Sequence, residues 1–536
     1  MKMKSILISI LCIALTATTN NAFPQETSVA SNQQDSLALV DLYNSTNGPG
    51  WQNNRNWLTG RLGTWFGVGL KNGRVAELIL DNNKLKGTIP PSIGNLEKLW
   101  RIVFSNNQLS GTIPDTLGSI KSLVILDLQG NDLSGAIPPE LGNPKDLEYL
   151  YLSRNNLTGT IPAELARAKG LEYLHLDSNQ LTGTIPPEFG KLKKLAHLIL
   201  SDNQFTGILP AGLEKAPMTE LYLGYNQFNK SVLSQVTNFK SLDYFDFSYN
   251  NATGKIPTEI DNLRFIKHLY LNNNQLSGFL PLELSHLKNL YVLNLSNNKF
   301  KGEIKPALHQ LQYLEQLYLD HNNFKGPFPD GLTTWFPNLD SLGITYNQFT
   351  FDGLETLEQE FPAANYEKQA PIPIHQNGNA LSVSAGGTLS NDTYAWFMVG
   401  GSDTTIVTGD SVFHPTKNGT YYVKITNAIA RDLILKSDTI VYTAPAANYA
   451  TNASEDRLQS TANAQTFTVY PNPAKEALHI QTNGNAVFSL IDENGKIVLT
   501  KNISKNGTIN ISSLATGLYY LKNNSIGFVK KVVVTK

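Results

Sequence analysis

Apolar and polar residues follow one repeating pattern through most of this chain of 536 residues. The segment from Leu147 to Gly170 reads LEYLYLSRNNLTGTIPAELARAKG, and close copies begin at Leu123 and Leu171. Leu150 and Leu152 stand two residues apart, so they point to the same side of a strand, and no single copy can bury them alone. The pattern therefore predicts parallel strands stacked around a shared interior of leucines.

One asparagine in each copy marks the register of the repeat. Successive asparagines are 24 residues apart except for two intervals, of 23 and 25 residues, which makes twelve repeats. They are Asn83, Asn107, Asn131, Asn155, Asn179, Asn203, Asn226, Asn250, Asn274, Asn298, Asn322 and Asn347. A short amide where the strand turns away can bond backbone groups that the bend leaves unpaired, so stacked copies are expected to form an asparagine ladder. The pattern L-x-x-L-x-L-x-x-N at this period is typical of a leucine-rich-repeat solenoid.

The second half of each repeat narrows the class of solenoid. From Leu85 to Pro186 it recurs as LKGTIP, LSGTIP, LSGAIP, LTGTIP and LTGTIP. The stretch from Asp35 to Leu357 resembles the plant-type leucine-rich repeats of receptor-kinase ectodomains and polygalacturonase-inhibiting proteins. This resemblance implies an α/β leucine-rich-repeat solenoid, a right-handed superhelix with a concave parallel β-sheet and a second short sheet beside it. Repeats 7 (FNKSVLSQV) and 10 (GEIKPAL) depart from the pattern, so interruptions of the second sheet are expected there.

The chain opens with MKMKSILISILCIALTATTNNA, in which two lysines precede an apolar run and then small polar residues. This order predicts a secretory signal peptide over residues 1–22. The apolar run is too short for a permanent membrane helix, so no transmembrane segment is expected in the mature chain. The single cysteine, Cys12, lies inside that run. The mature chain therefore has no disulfide, thiolate metal site or cysteine nucleophile.

Residues 35–74 are predicted to cap the N-terminal end of the solenoid, and the repeats to occupy residues 75–362. The sequence DSLALVDLY reads as a short amphipathic helix, with Asp35 as a possible N-cap. Three tryptophans follow it. A solenoid end exposes apolar core that large aromatic side chains can cover, so they are expected to be core residues. They are Trp51, Trp57 and Trp65.

After the repeats, Pro371 and Pro373 indicate a linker. Residues 374–443 then alternate polar and apolar residues in short runs such as TYAWFMV and GTYYVKITN, which predicts a small β-sandwich. This module resembles bacterial immunoglobulin-like domains, with Trp396 and Tyr422 as expected core residues. A spacer role is the plainest interpretation of it.

Residues 444–466 are rich in Ala, Asn, Thr and Ser and are predicted to be a flexible linker. Residues 467–536 contain YPNP at 470–473, a D-x-x-G-K turn at 492–496 whose Asn-Gly pair marks a hairpin, and GLYY at 517–520. These features resemble the C-terminal sorting domain of the type IX secretion system. The resemblance implies contact with that secretion machinery and export across the outer membrane of a Bacteroidota-type bacterium, with release or surface attachment. The expected fold is a solenoid followed by two small all-β sandwich domains.

The sequence contains no H-E-x-x-H, G-x-S-x-G, Walker or dinucleotide-binding motif. His175, Asp177 and His197 fall on neighbouring strands, where two imidazoles and a carboxylate could bind a metal ion. Ordinary polar residues of the concave sheet are the preferred interpretation. Neither a metal nor another cofactor is expected.

The variable positions of L-x-x-L-x-L-x-x-N are expected to lie on or beside the concave face. Among these 60 positions are eleven of the chain's 22 tyrosines, with 13 acidic and 3 basic residues. The preference of tyrosine for strands is one explanation. Tyrosine also offers rigid contact area with a hydroxyl, whereas an acidic face repels phosphate. The candidate ligand-binding residues are Tyr149, Tyr151, Tyr173, His175, His197, Tyr222, Tyr225, Tyr244, Asp246, Tyr249, Tyr270, Tyr291 and Tyr318.

The leading hypothesis is a secreted or cell-surface recognition protein without catalysis. Its concave face would bind a protein, peptide or glycan, with basic or neutral ligands favoured and nucleic acid excluded. One alternative is a structural surface-layer or adhesion protein, which would self-associate. Another is a polysaccharide or peptide hydrolase with an unrecognised site, which needs two convergent carboxylates or a nucleophile–base pair.

Overall fold

The computed structural model describes residues 33–362, 364–401, 404–444, 467–470, 474–492, 496–524 and 529–535. The chain divides into two compact units, with the boundary between Ala446 and Ala447. The predicted signal peptide, nearly all of the 444–466 linker, residues 471–473 of the YPNP motif and the Asn-Gly pair at 494–495 lie outside the described residues.

A thirteen-stranded sheet connects all the repeats. Its first two strands are antiparallel, and every later strand pairs in parallel with the strand one repeat earlier. The strands are Val68–Lys71, Arg74–Ile79, Arg101–Val103, Ile125–Asp127, Tyr149–Tyr151, Tyr173–His175, His197–Ile199, Glu220–Tyr222, Tyr244–Asp246, His268–Tyr270, Val292–Asn294, Gln316–Tyr318 and Ser341–Gly343. This is the sheet for which the resemblance implies a concave surface, and it is called the concave sheet below.

The middle residue of each short strand points into the core. Leu150, Leu174 and Leu198 share one register across three strands, and each is fully buried. Because side chains alternate along a strand, the residues on either side of each leucine point outwards. A fully buried leucine stabilises the fold by roughly 2 kcal/mol, so the stacked leucines hold the strands in register.

Most repeats return from one strand to the next through a 3₁₀ turn. Several turns begin with proline, whose fixed φ suits a first helical position and whose missing N–H is not needed there. The 3₁₀ turns are Gly48–Gly50, Leu62–Thr64, Pro91–Asn95, Asp115–Ser119, Pro139–Gly142, Ala163–Arg167, Pro187–Lys191, Leu213–Lys215, Thr258–Asn262, Leu282–His286, Pro306–Gln310 and, beyond the repeats, Leu389–Asn391. The α-helices are Gln33–Ser45, Ser231–Val236, Leu332–Trp335 and Leu354–Glu360.

A second sheet lies beside the first in two pieces. The seven-stranded piece consists of Lys86–Thr88, Gln108–Thr112, Asp132–Ala136, Asn156–Thr160, Gln180–Gly183, Gln204–Gly207 and Gln227–Phe228. The four-stranded piece consists of Thr253–Gly254, Gln275–Gly278, Lys299–Gly302 and Asn323–Phe324. The break follows repeat 7, as expected, where the helix Ser231–Val236 replaces the usual turn. The break expected at repeat 10 is absent, because that repeat departs from the pattern only after its strand has ended.

The asparagine ladder forms as the repeat pattern predicts. Asn155 donates from Nδ2 to the backbone oxygens of Leu128, Leu152 and Ser153 at 3.0, 3.1 and 3.2 Å. Its Oδ1 accepts the backbone N–H of Leu133 at 3.0 Å. One side chain thus satisfies polar backbone groups in two successive repeats, and the neighbouring asparagines make equivalent bonds.

An ion pair joins the helix of the N-terminal capping segment, residues 35–74, to the first repeat. The three cap tryptophans are buried, as expected. Asp35, however, lies inside the helix Gln33–Ser45 and is fully buried. Its carboxylate accepts two hydrogen bonds from the Arg74 guanidinium, at 2.8 and 2.9 Å, and one from the backbone N–H of Val75 at 2.9 Å. The prediction of Asp35 as an N-cap is therefore wrong, because its carboxylate joins the cap helix to the first repeat.

The solenoid continues past Pro362. Gln369 takes the ladder position that follows Asn347: its Oε1 accepts the backbone N–H groups of Asn347 and Phe349 at 3.2 and 3.1 Å. Its Nε2 donates to the backbone oxygen of Ile344 at 3.0 Å. A glutamine thus ends the ladder in an incomplete thirteenth repeat that the asparagine spacing does not reveal.

Two antiparallel sheets form the next module. One contains Ile374–Asn377, Ala380–Val383 and Val412–Phe413, and the other contains Asp392–Met398, Thr404–Thr408, Gly419–Asn427, Ile434–Lys436 and Ile440–Tyr442. Trp396 is buried, as expected. The expectation for Tyr422 is wrong, because Tyr421 is the buried residue and Tyr422 stacks on Phe397 on the outer face. Alternation along the strand puts these two neighbours on opposite faces.

This sandwich packs directly on the C-terminal end of the solenoid. The Glu355 carboxylate accepts hydrogen bonds from the Thr388 backbone and from the Asn391 and Asn427 amides, at 3.1, 3.2 and 2.6 Å. Ile372, between the two prolines, is 5% exposed and donates its N–H to the backbone of Lys436. The linker predicted around these prolines is therefore a packed segment.

The second unit is all-β, as predicted. Its described strands are Phe467–Tyr470, Ala477–Asp492, Ile497–Asn510, Gly517–Asn523 and Val529–Val534, and they form one five-stranded antiparallel sheet. The register shifts between Gln481 and Asn485 in its longest strand. Phe488, Leu490 and Leu521 lie in its core.

Candidate ligand-binding surface

The outward side chains of the concave sheet form two columns, one on each side of the buried leucines. Tyr149 and Tyr151 flank Leu150, and the parallel register places Tyr173 and His175 beside them. The next strand places His197 beside Tyr173. Residues at the same position in successive repeats are thus side by side, at the strand spacing of about 4.8 Å.

Five of these residues form the first aromatic cluster, on repeats 4 to 6. The rings of Tyr149 and Tyr173 stack with centroids 4.7 Å apart, and those of Tyr173 and His197 at 4.4 Å. In the other column, Tyr151 and His175 lie 4.6 Å apart. Each stacked ring covers a face of its neighbour, so the cluster presents ring edges and hydroxyl groups to a ligand.

The second aromatic cluster lies on repeats 7 to 9. Tyr244 is its centre, with ring centroids 4.2 Å from Tyr222, 5.5 Å from Tyr270 and 5.2 Å from His268. His268 was not among the predicted site residues. It occupies the same repeat position as His197, and that shared position is the signal that would have found it. Tyr291 lies further along, 6.3 Å from His268.

Other predicted tyrosines lie outside these two clusters. Tyr225 and Tyr249, just before the ladder asparagines, stack at 4.0 Å. Both adopt left-handed φ angles, of 53° and 51°, which bulky residues rarely do. They are 45% and 38% exposed. Tyr318 stands apart from both clusters and shares a 2.9 Å hydrogen bond with Ser341.

The rings are not all open to solvent. Tyr222 is 7% exposed and His175 is 8% exposed. Both side chains point away from the leucine core, but neighbouring rings cover them. Tyr222 therefore faces outwards without being open to solvent, because stacking along the sheet buries outward side chains as well.

The possible metal site does not assemble from its three residues. His197 stacks on Tyr173, and its Nδ1 lies 3.3 Å from the Glu220 carboxylate. Asp177 instead accepts a short hydrogen bond from the Ser153 hydroxyl. Within the described part of the chain, no group of three or more His, Cys, Asp or Glu side chains is arranged to hold a metal ion.

Burial changes the charge states on this surface. Burial lowers the pKa of His175 to about 4, so this imidazole is neutral at pH 7. Burial also raises the pKa of the Asp127 carboxyl to about 6 and raises that of the Asp246 carboxyl. Burial alone would raise the pKa of Glu220, but the hydrogen bond and charge of His197 bring it below its ordinary value. Glu220 is therefore ionised at neutral pH.

Glu220 stands between the two clusters. In the concave sheet, Glu220 pairs with His197 of one neighbouring strand and with Tyr244 of the other. The surface thus runs from aromatic rings to a carboxylate and again to aromatic rings along one column. Lys267 and Asp243 form an ion pair of 3.3 Å beside the second cluster.

Comparison with known proteins agrees with this architecture. Residues 73–133 match the family described as Leucine rich repeat, and a second leucine-rich-repeat family matches six further segments. These segments are 146–168, 170–192, 194–216, 265–287, 289–311 and 313–335. Fold and repeats together define a leucine-rich-repeat protein, as expected.

Residues 468–535 match the family described as Secretion system C-terminal sorting domain, which confirms the resemblance of this segment to the sorting domain of type IX secretion. The chain is therefore exported by type IX secretion, to the cell surface or into the medium.

Solved plant receptor structures are similar to the solenoid. One is described as the plant peptide hormone receptor RGFR1 in complex with RGF2: identity is 33%, coverage is 54% of this chain and 47% of that one, and the TM-score is 0.50. For PEPR1–AtPEP1 the identity is 30%, the coverage is 63% of this chain and 52% of that one, and the TM-score is 0.55. For the Arabidopsis receptor kinase HAESA ectodomain with an extended IDA peptide hormone ligand the identity is 27%, the coverage is 61% of this chain and 60% of that one, and the TM-score is 0.53. The chain thus spans between 47% and 60% of the length of these structures.

The search of curated proteins finds no match. Among the described residues, no helix has the length and apolar character needed to cross a membrane. The solenoid of this exported protein is thus similar to ligand-binding receptor ectodomains.

Proposed function

We propose that this exported protein is a recognition protein whose concave sheet binds an extended peptide segment with basic or neutral side chains. The observation that carries the proposal is the arrangement of two aromatic clusters with the ionised Glu220 between them on one sheet. The clusters and Tyr318 extend over repeats 4 to 11. At about 4.8 Å per strand these eight strands span roughly 34 Å, the length of about ten extended residues.

The ring geometry favours a peptide over a glycan. Tyr173 has a stacked ring on each of its faces, and Tyr244 stacks with Tyr222 and His268. A sugar ring packs best on an open aromatic face, and these inner rings offer edges and hydroxyls instead. Ring edges and hydroxyls can contact apolar side chains and backbone amides of a peptide at little conformational cost. Two of the similar solved structures are a plant peptide hormone receptor and the HAESA ectodomain with a peptide hormone ligand, which supports the same class of ligand.

Charge on the surface favours basic side chains. Glu220 carries its charge at neutral pH, and His175 within the first cluster carries none. A lysine or arginine side chain could reach Glu220 while its aliphatic part contacts the rings on either side. An acidic peptide would meet repulsion at the same place.

The test uses the full chain and a random-peptide display library as the probe. Selected peptides are expected to be enriched in lysine, arginine and apolar residues. Their affinity, measured by isothermal titration calorimetry, is expected to fall at least about tenfold in the double variant Tyr173→Ala with Tyr244→Ala. Phe265→Ala is the matched control, since Phe265 is a 60% exposed aromatic residue outside both clusters.

Two results would contradict the proposal. One is equal affinity of the selected peptides for the double variant and the wild type. The other is selection of acidic peptides. A loss of affinity as large in the Phe265 control would also place the binding surface away from the two clusters.

A further inference from the structure

A second candidate site lies on the four-stranded piece of the second sheet, away from the concave sheet. Here a groove of about 340 Å³ is lined by Lys255, Ser277, Gly278, Phe279, Lys299 and Lys301. Its volume is within the range of pockets that hold small ligands. Its six lining residues come from three successive repeats, 8 to 10, and its lysines from repeats 8 and 10, so the stacking of the solenoid brings them together.

Phe279 is the centre of this groove. Its side chain is 61% exposed, although phenylalanine is most often buried in folded proteins. One edge of its ring lies over Gly302, where a Cβ atom would come within 2.5 Å of the ring. The Lys301 ammonium lies 5.8 Å from the ring centroid. The glycine thus makes room for the ring, and a cation lies over the ring.

The other two lysines border the same ring. A Cβ atom at Gly278 would lie 3.0 Å from Cγ of Lys255, so the aliphatic part of that lysine lies over the end of the strand Gln275–Gly278, next to Phe279. Lys299, which also lines the groove, donates from Nζ to Oε1 of Gln275 on the neighbouring strand at 3.3 Å. The nearby Glu303 carboxylate is paired with Lys305 at 3.1 Å.

This concentration of charge is local. On repeats 2 to 6, the outward positions equivalent to Ser277 and Phe279, three and five residues after the ladder asparagine, hold no charged side chain. They hold Ser110, Thr112, Ser134, Ala136, Thr158, Thr160, Thr182, Thr184, Thr206 and Ile208. Lys86 holds the first of these positions in repeat 1, and cationic residues recur there only beyond the break that follows repeat 7. The groove therefore differs in charge from repeats 2 to 6 of the second sheet and in sign from the acidic concave surface.

We propose that this groove binds an acidic polysaccharide, with a sugar ring against Phe279 and its carboxylate or sulfate groups paired with Lys255, Lys299 and Lys301. An open aromatic face can pack on the C–H face of a pyranose, and Phe279 has the exposure that the stacked concave rings lack. Three lysines lining one groove fit a polymer that carries one anionic group per sugar. The protein is exported, so it meets polymers outside the cell.

The test measures binding of the full chain to polygalacturonate, with neutral dextran as the uncharged reference, by biolayer interferometry at about 50 mM salt. Polygalacturonate is expected to bind and dextran not to bind, with affinity falling as salt rises. The double variant Lys299→Gln with Lys301→Gln is expected to lose at least about tenfold in affinity. Phe279→Ala is expected to weaken binding severalfold and to leave the salt dependence unchanged.

The chain provides a matched control. Lys84 and Lys86 occupy the same two positions of repeat 1 that Lys299 and Lys301 occupy in repeat 10, and all four are exposed. The variant Lys84→Gln with Lys86→Gln removes the same charge without touching the groove, and its affinity is expected to equal that of the wild type. Equal losses in the two double variants would mean non-specific charge attraction and would overturn the proposal.

Two further outcomes would overturn it. One is binding of polygalacturonate that no groove variant weakens. The other is tighter binding of single-stranded DNA than of polygalacturonate, since aromatic stacking beside lysines also suits nucleic acid. The concave double variant Tyr173→Ala with Tyr244→Ala is expected to bind polygalacturonate normally, which separates this site from the peptide site.

Discussion

The asparagine ladder allows a sharp test of how the solenoid is held together. In Asn155→Ala, the backbone N–H of Leu133 loses its acceptor. The backbone oxygens of Leu128, Leu152 and Ser153 each lose one of their donors. The three leucines are fully buried, so water cannot replace the amide without opening the repeat. A buried polar group left without a partner costs about 1–3 kcal/mol. With one unpaired N–H and weakened carbonyls, the expected loss in the free energy of unfolding is about 3 kcal/mol.

The neighbouring residue supplies the control. Asn156 is exposed and follows Asn155 directly, so Asn156→Ala changes the same side chain outside the ladder. Its expected effect is within about 0.5 kcal/mol of zero. Urea unfolding followed by far-ultraviolet circular dichroism gives the difference in the free energy of unfolding between the two variants.

Hydrogen exchange locates the effect within the chain. Because each repeat contacts only its neighbours, Asn155→Ala is expected to speed exchange at the Leu133 amide and to leave distant repeats unchanged. Equal stability of the two variants, or unchanged protection of the Leu133 amide, would refute the account of the ladder as the support of the turning backbone.

Two further predictions concern pH and the junction with the sandwich. The pKa of His175 is about 4 in the fold, below its ordinary 6.5, so the unfolded chain takes up the proton first and stability is lost as the pH falls through this range. The expected loss in the free energy of unfolding is about 3 kcal/mol. Since His175→Gln has no imidazole to protonate, its thermal midpoint should fall less between pH 7 and pH 4 than that of the wild type. An equal fall in the two proteins contradicts this account. Glu355→Ala removes three hydrogen bonds to the sandwich and should destabilise the junction by about 1–3 kcal/mol. Limited proteolysis should show faster cleavage there than in the exposed-residue control Gln359→Ala on the same helix, and equal rates would count against this role.

The two candidate sites divide the solenoid by charge and by ring geometry. The concave sheet holds stacked rings whose faces are covered, with an ionised carboxylate between them. The groove on the second sheet holds one open ring with three lysines. A single exported chain could therefore hold an anionic matrix on one surface while it recognises a peptide on another, and the variants described above separate the two activities.

The repeat pattern determined much of this protein by itself. Leucines two residues apart must share a face, and no single repeat can bury them, so parallel stacking around a leucine core follows from local spacing alone. The ladder follows in the same way, because one amide recurs at one position. The break after repeat 7 was visible as a loss of the G-x-I-P pattern. These features depend on residues within one repeat and its copy.

Tertiary structure alone decided which side chains touch. Stacking of Tyr173 on His197 depends on the register between strands, and His268 joined the second cluster for the same reason. Asp35 forms an ion pair with Arg74, which is 39 residues away in the sequence. The sequence around Asp35 predicts an N-cap because it contains only the start of the helix and not this partner. Tyr421 rather than Tyr422 is buried because a shift of one residue reverses the face. Spacing along the chain sets the direction of a side chain, but its partners lie on other strands, and only the folded register brings them within contact distance.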